Sequence, residues 1–176
     1  MINHTMSNDS KEVLNEVHTY LDYLQQPNEA FLGMPACPFL KSELKDEKLM
    51  TEVWRPQQES FMELYGRFVE SEYESALIVC MNTDGILWEQ VDRKSYQRTI
   101  QKLLKETEHK ALCFSPFEEH TAGGGEETRK KSPYFLINIA KKEVLKEAHR
   151  SLLKTRYFDN FTDEELDTLK VYPKKK

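Results

Sequence analysis

Cys37 is the residue whose chemistry its neighbours specify most heavily. It lies in Gly33-Met34-Pro35-Ala36-Cys37-Pro38-Phe39-Leu40-Lys41, a thiol between two prolines with a cation four residues on. A cysteine becomes a nucleophile or redox group when a helix N-terminus or nearby cations lower its pKa. Proline is favoured at the first position of a helix, so if the chain after Pro38 turns helical, Cys37 is an N-cap whose thiolate faces free N–H groups. Lys41 then adds positive charge. The competing reading is a small apolar plug that pins a proline-rich loop to the core, because free cysteine is among the most buried residue types. A Cys-Pro dipeptide can also hold haem through its thiolate.

Two later segments carry other candidate chemistry. Arg129-Lys130-Lys131-Ser132-Pro133-Tyr134 sets cations and hydroxyls just before an apolar run, which suits a carboxylate or phosphate. Cys37 is therefore the catalytic candidate, and Lys41, Arg129, Lys131, Ser132 and Tyr134 are the ligand-binding candidates. The opposing reading of the second group is a solvated loop with Ser132-Pro133 as a turn. Glu118, Glu119 and His120 are metal-ligand types that suit Zn, Mn or Fe. Adjacent residues do not converge on one ion in a helix or strand, and no HExxH spacing is present, so a solvated acidic loop is preferred and no metal site is assigned. Gly123-Gly124-Gly125 reads as a hinge. It is not a phosphate loop, because Glu126-Glu127 follow where Lys and Ser/Thr are needed. Cys80 and Cys113 fall in apolar runs and read as core thiols. His18, His109 and His149 read as surface or internally satisfied residues.

Composition narrows the function classes. The chain has 176 residues, enough for one domain with a real core. Its net charge of −5 disfavours non-specific nucleic-acid binding. Apolar runs such as Ser75 to Met81 are far shorter than the ~20 residues of a membrane helix. The first residues lack a basic-then-apolar signal pattern. Three cysteines outside paired spacing suit thiols in a reducing cytoplasm. The expectation is a soluble cytoplasmic protein with no membrane or nucleic-acid partner and no assigned cofactor.

These candidates need elements to hold them. Residues 1–9 read as a flexible lead, 10–170 as a single globular domain and 171–176 as a basic tail. Val13, Val17, Leu21 and Leu24 follow helical spacing, with Asp9 or Ser10 as the cap. Leu49 to Trp54 reads as a strand. Phe61, Leu64, Tyr65, Phe68 and Val69 form an amphipathic stripe. Ala76 to Met81 is a continuous apolar run, the mark of a buried strand. Tyr96, Ile100, Leu103 and Leu104 predict another helix, and Lys110 to Phe114 a strand. A long loop from Ser115 to Lys131 precedes a strand at Tyr134 to Ile139. Val144, Leu145, Ala148 and Leu152 continue as a helix. Thr162-Asp163-Glu164-Glu165 is a capping-box signature for a last one. Helices between strands point to an α/β fold, with α+β as the alternative. The expected architecture is a single layer of about four mixed strands with helices packed on it, the last strand antiparallel because no helix precedes it.

Three motifs in fixed order resemble a known group. They are Cys37-Pro38-Phe39 with Lys41, Phe114 with Pro116 after a strand, and Ser132-Pro133-Tyr134 before a strand and helix. In these, and in length, the chain resembles the bacterial proteins of domain-of-unknown-function family 1415. The likeness runs from about Phe31 to Ala148. Ser115 stands where that family carries histidine, and Lys131 where it carries arginine. A histidine acting as base at the first position is thus missing here. The resemblance implies a shared fold and pocket and no particular activity.

The first functional expectation is binding of a small anionic metabolite where Cys37 meets basic residues of the later loop, with thiol chemistry if the thiol is activated. Cys37, Lys41, Arg129 and Ser132 would then form an electropositive thiol pocket. The rival is a non-catalytic interaction or regulatory protein with a protein partner, in which Cys37 only packs. A third reading is a metal- or haem-binding protein.

Overall fold

The computed structural model describes residues 2–117 and 132–172. Strands β1 (Leu49–Trp54), β2 (Ser75–Cys80), β3 (His109–Phe114) and β4 (Phe135–Lys141) form one sheet in the order β1-β2-β4-β3. The helices are α1 (Ile2–Leu24), α2 (Leu40–Lys45), α3 (Phe61–Glu70), α4 (Arg93–Leu103), α5 (Lys142–Leu152) and α6 (Asp163–Leu169). β1 and β2 are parallel, and β4 runs antiparallel to both β2 and β3. The first three strands therefore point one way. Their carboxyl ends share an edge with the start of β4.

Sequence pattern explains the layers. Every residue of β2 is buried, as in a strand covered on both faces. Ala76, Ile78 and Cys80 meet Met50, Trp54, Phe135, Ile137 and Ile139 beneath α3 and α4. The alternate residues Leu77 and Val79 join Leu136 beneath α1, which contributes Val13, Val17 and Leu21. Ser60 and Glu63 form a capping box that starts α3 directly after β1. A third cluster gathers Phe31, Leu152, Tyr157, Phe158 and Val171. There the Tyr157 hydroxyl donates to the Ala36 carbonyl, tying the loop before Cys37 to the carboxyl-terminal helices.

The expected mixed four-stranded sheet is present, with helices packed on it. The expected strand at Leu49 to Trp54 coincides with β1. β4 is antiparallel as anticipated and lies between β2 and β3. Thr162 and Glu165 make the anticipated capping box on α6. α2 is the helix on which the Cys37 N-cap reading depends, but it starts at Leu40 rather than Pro38, and α1 begins well before Ser10.

The two sheet edges differ. On β3, the outward Cys113 N–H donates to Gln97 Oε1 at 2.9 Å, and Gln101 Nε2 donates to the Ala111 carbonyl at 3.0 Å. α4 thus occupies that edge with two side-chain amides. On β1, the Trp54 and Lys48 carbonyls accept from Met81 and Ser75 of the β2 side. In a parallel pair the direction alternates residue by residue, so Leu49, Thr51 and Val53 point their N–H and C=O groups away from β2. Among the described residues, nothing bonds to those outward groups.

Candidate functional site

Cys37 lies beside the end of α1, where its N–H donates to the Leu24 carbonyl at 3.1 Å. The N-cap of α2 is Phe39, not Cys37. The N–H groups of Phe39 and Leu40 still face the sulfur and favour its thiolate. Burial outweighs them, and the Glu43 carboxylate acts the same way, so the thiol is pushed up to about 11. Glu43 is itself raised, first by burial and then by Glu74, where it lies against Ser75 at the start of β2. Lys41 is exposed on α2. The charge closest in effect on Cys37 is therefore negative.

Ser132 and Tyr134 sit at the opposite end of the sheet. They lead into Phe135, which pairs with Cys80 at the carboxyl end of β2. Glu43 and Cys37 lie by the start of β2, roughly 16 Å away along a strand of this length. Helix α1 runs between the same two ends. Its Ser10 accepts from Arg55 Nη1 just after β1, and its Leu24 contacts Cys37. Burial raises the Tyr134 phenol, and Glu16, which its hydroxyl faces, and Glu12 raise it further. Ser132 is buried, and its hydroxyl has no hydrogen-bond partner among the described residues. Arg129 and Lys131 lie outside the described residues, as do Glu118, Glu119, His120 and the glycine triplet. The described part of the expected thiol pocket is thus divided. Cys37 and Lys41 are at one end and Ser132 and Tyr134 at the other, because the two loops cap opposite ends of β2.

The other thiols are core groups. Burial pushes Cys113 up to about 12 and raises Cys80 strongly. Among the described residues, no group of three His, Cys, Asp or Glu side chains is placed to hold a metal ion, and no helix is long and apolar enough to cross a membrane. A shallow groove of about 390 Å³ runs at the open β1 edge, lined by Val53, Arg55, Gln58, Glu59 and Glu63.

His109 is buried, with its Nδ1 2.8 Å from the Tyr65 hydroxyl. Burial lowers its pKa from 6.5, while Glu108, 4.0 Å from Nε2, opposes the shift. The folded state therefore binds this proton less readily than the unfolded chain. That stability is complete above the ordinary histidine pKa and is lost as pH falls from there towards the folded value. Urea midpoints should drop between about pH 7.5 and about pH 5, and His109→Gln should flatten the drop. An unchanged slope in the variant would assign the pH dependence to other groups.

One group of charges escaped the sequence analysis. The charges of Lys142 and Lys170 act on Lys110, and that of Lys110 acts on His149. The alternating burial of β3 was the available signal, since it puts Lys110 on the face opposite His109. α5 and α6, which carry His149 and lead to Lys170, come some thirty to sixty residues later.

No family model, curated protein or solved structure matches this chain.

Proposed function

We propose that this chain is a non-catalytic interaction protein whose working surface is the open edge of β1, and that the strand it takes is β1 of a second copy. The observation that carries this is the contrast between the edges. β3 is occupied by Gln97 and Gln101, whereas Leu49, Thr51 and Val53 of β1 leave their backbone groups unbonded among the described residues. An open edge is a template for strand addition unless it is blocked.

β1 suits its own antiparallel copy when the two-fold axis passes at Thr51. Thr51 then faces Thr51, and Leu49 faces Val53, all outward-bonding positions. About six backbone hydrogen bonds close the pair. Threonine pairs and β-branched apolar pairs are favourable across strands. Met50 meets Glu52 and Lys48 meets Trp54, so no like charges oppose. Just beyond the strand ends, Glu47 meets Arg55. Thiol chemistry has no comparable support, because burial and Glu43 keep Cys37 protonated.

Thr51→Pro tests the proposal. The Thr51 N–H points outward, so proline there removes no bond within the sheet and is tolerated at an edge. Sedimentation equilibrium should show dimers for the wild type and monomers for the variant, with matching circular dichroism. A monomeric wild type at its solubility limit, or a variant that still dimerises, overturns the proposal. A relationship to domain-of-unknown-function family 1415 is likewise proposed, on the order of the three motifs alone.

A further inference from the structure

The groove at the open edge of β1 carries a charge pattern that backbone pairing alone does not use. Val53 and Arg55 line it from the strand, and Gln58, Glu59 and Glu63 from the entry to α3 and its first turn. Trp54, between Val53 and Arg55, fixes one wall, because its indole N–H donates to the Glu59 carbonyl at 2.8 Å. The two faces of the strand divide the charges. Arg55 Nη1 donates to Ser10 of α1 at 3.4 Å, which draws the guanidinium to the α1 side. The carboxylates belong to the α3 side. Both oxygens of Glu59 accept from Arg67, at 2.8 and 2.9 Å. Glu63 Oε2 accepts from the Ser60 N–H at 2.8 Å, but no cation pairs with Glu63 among the described residues.

The register of strand pairing decides what reaches this carboxylate, so the inference rests on the pairing of β1 with its copy. With the axis at Thr51, Lys48 of one copy lies opposite Trp54 of the other. Residues 48 and 54 bond inwards to β2, so across the new pair they are a non-hydrogen-bonded couple, with Cα atoms about 4.5 Å apart and side chains close. Met50 and Trp54 face the core beneath α3, and alternation puts Lys48 on the same side. Its ammonium therefore enters the groove beside Glu63 and on the far side of the strand from Arg55. In its own chain Lys48 meets Glu74 at 3.6 Å, with side chains 41% and 49% exposed. A pair so exposed is weak, and little opposes its exchange.

We infer that Lys48 of each copy docks in the groove of the other against Glu63, so that two symmetric ion pairs set the register of the β1 dimer. The edge then favours a second copy over other strands, because an incoming strand must present a cation opposite Trp54.

Zero-length carbodiimide coupling of mixed ¹⁵N-labelled and unlabelled full-length chains reads the contact directly. Mass spectrometry should find Lys48 of one isotope joined to Glu63 of the other. Lys48→Met keeps the stem and removes the charge. Glu63→Gln removes the charge and keeps an oxygen to cap α3. Each should raise the dimer dissociation constant roughly threefold to tenfold. The double variant should lose no more than either single one, as expected for two halves of one contact. Glu74→Gln frees Lys48 and should not weaken the dimer. Absence of the mixed-isotope link, or losses that add fully in the double variant, overturns the inference. Where Thr51→Pro still abolishes the dimer, that failure leaves β1 pairing standing. A wild type that is monomeric at its solubility limit overturns the pairing and this inference together.

Discussion

Iodoacetamide will label Cys37 in the native protein about a hundredfold more slowly than an unperturbed thiol at neutral pH. The factor follows from a pKa raised from 9.0 to about 11, because thiolate population falls tenfold per unit and the thiolate is the reactive form. Cys80 and Cys113 should be at least as silent, since burial raises both. Residue-resolved mass spectrometry against pH is the measurement. Guanidinium should restore ordinary reactivity to all three together. Rapid labelling of native Cys37 alone, with an apparent pKa below the ordinary value, would return an activated thiol to consideration. The same neighbourhood explains why the motif misleads. Two backbone N–H groups do face the sulfur, but Glu43 accompanies them, and the surrounding protein withholds much of the solvent that would stabilise a thiolate.

Trp88→Ala should cost about 3–5 kcal/mol of stability, the range for removing a large buried aromatic. Trp88 is 2% exposed in a 3-10 turn after β2, packed on Phe135 at 4.7 Å, Tyr96 at 5.1 Å and Trp54 at 5.9 Å between ring centroids. Its indole N–H donates to the Met81 carbonyl at 2.8 Å, and its backbone N–H donates to Asn82 Oδ1 at 2.9 Å. The side chain thus plugs the carboxyl-end edge of the sheet and also satisfies a backbone carbonyl. Trp88→Phe keeps much of the packing and loses that hydrogen bond, so a smaller loss of about 1–3 kcal/mol is expected. Urea denaturation of the three proteins gives the comparison. A loss below about 1 kcal/mol for Trp88→Ala would mean that the aromatic cluster collapses around the gap.

Much of the architecture is legible in the chain because it rests on local signals. Leu77-Ile78-Val79-Cys80 is apolar without interruption, and the strand it makes is buried on both faces. Thr162 with Glu165 marks the start of α6 through two hydrogen bonds within four residues. The start of α2 was misplaced because its single buried side chain, Leu40, leaves no periodicity to fix it. The interior position of β4 escaped for another reason. Strand order depends on which apolar faces find each other across dozens of residues, and the sequence of β4 is equally compatible with an edge. The candidate site was less legible still. The Cys37 and Ser132 loops share no local signal of distance, and only the sheet shows that they cap opposite ends.

The interior place of β4 governs how the chain can be assembled during synthesis. Among the described residues, β3 pairs with β4 and with no other strand. As the polypeptide leaves the ribosome, β1 and β2 can join as soon as both have emerged. β3 must then wait, carrying its apolar Ala111, Leu112 and Cys113, until residues 135–141 appear and enter between it and β2. Contacts between partners so distant in sequence form slowly, since the intervening chain must be ordered first. Gln97 and Gln101, which reach β3 from the helix just before it, need no such wait. α4 can hold the unpaired strand as a local helix–strand unit from the moment it is made, shielding one side of it from neighbouring nascent chains until its true neighbour arrives.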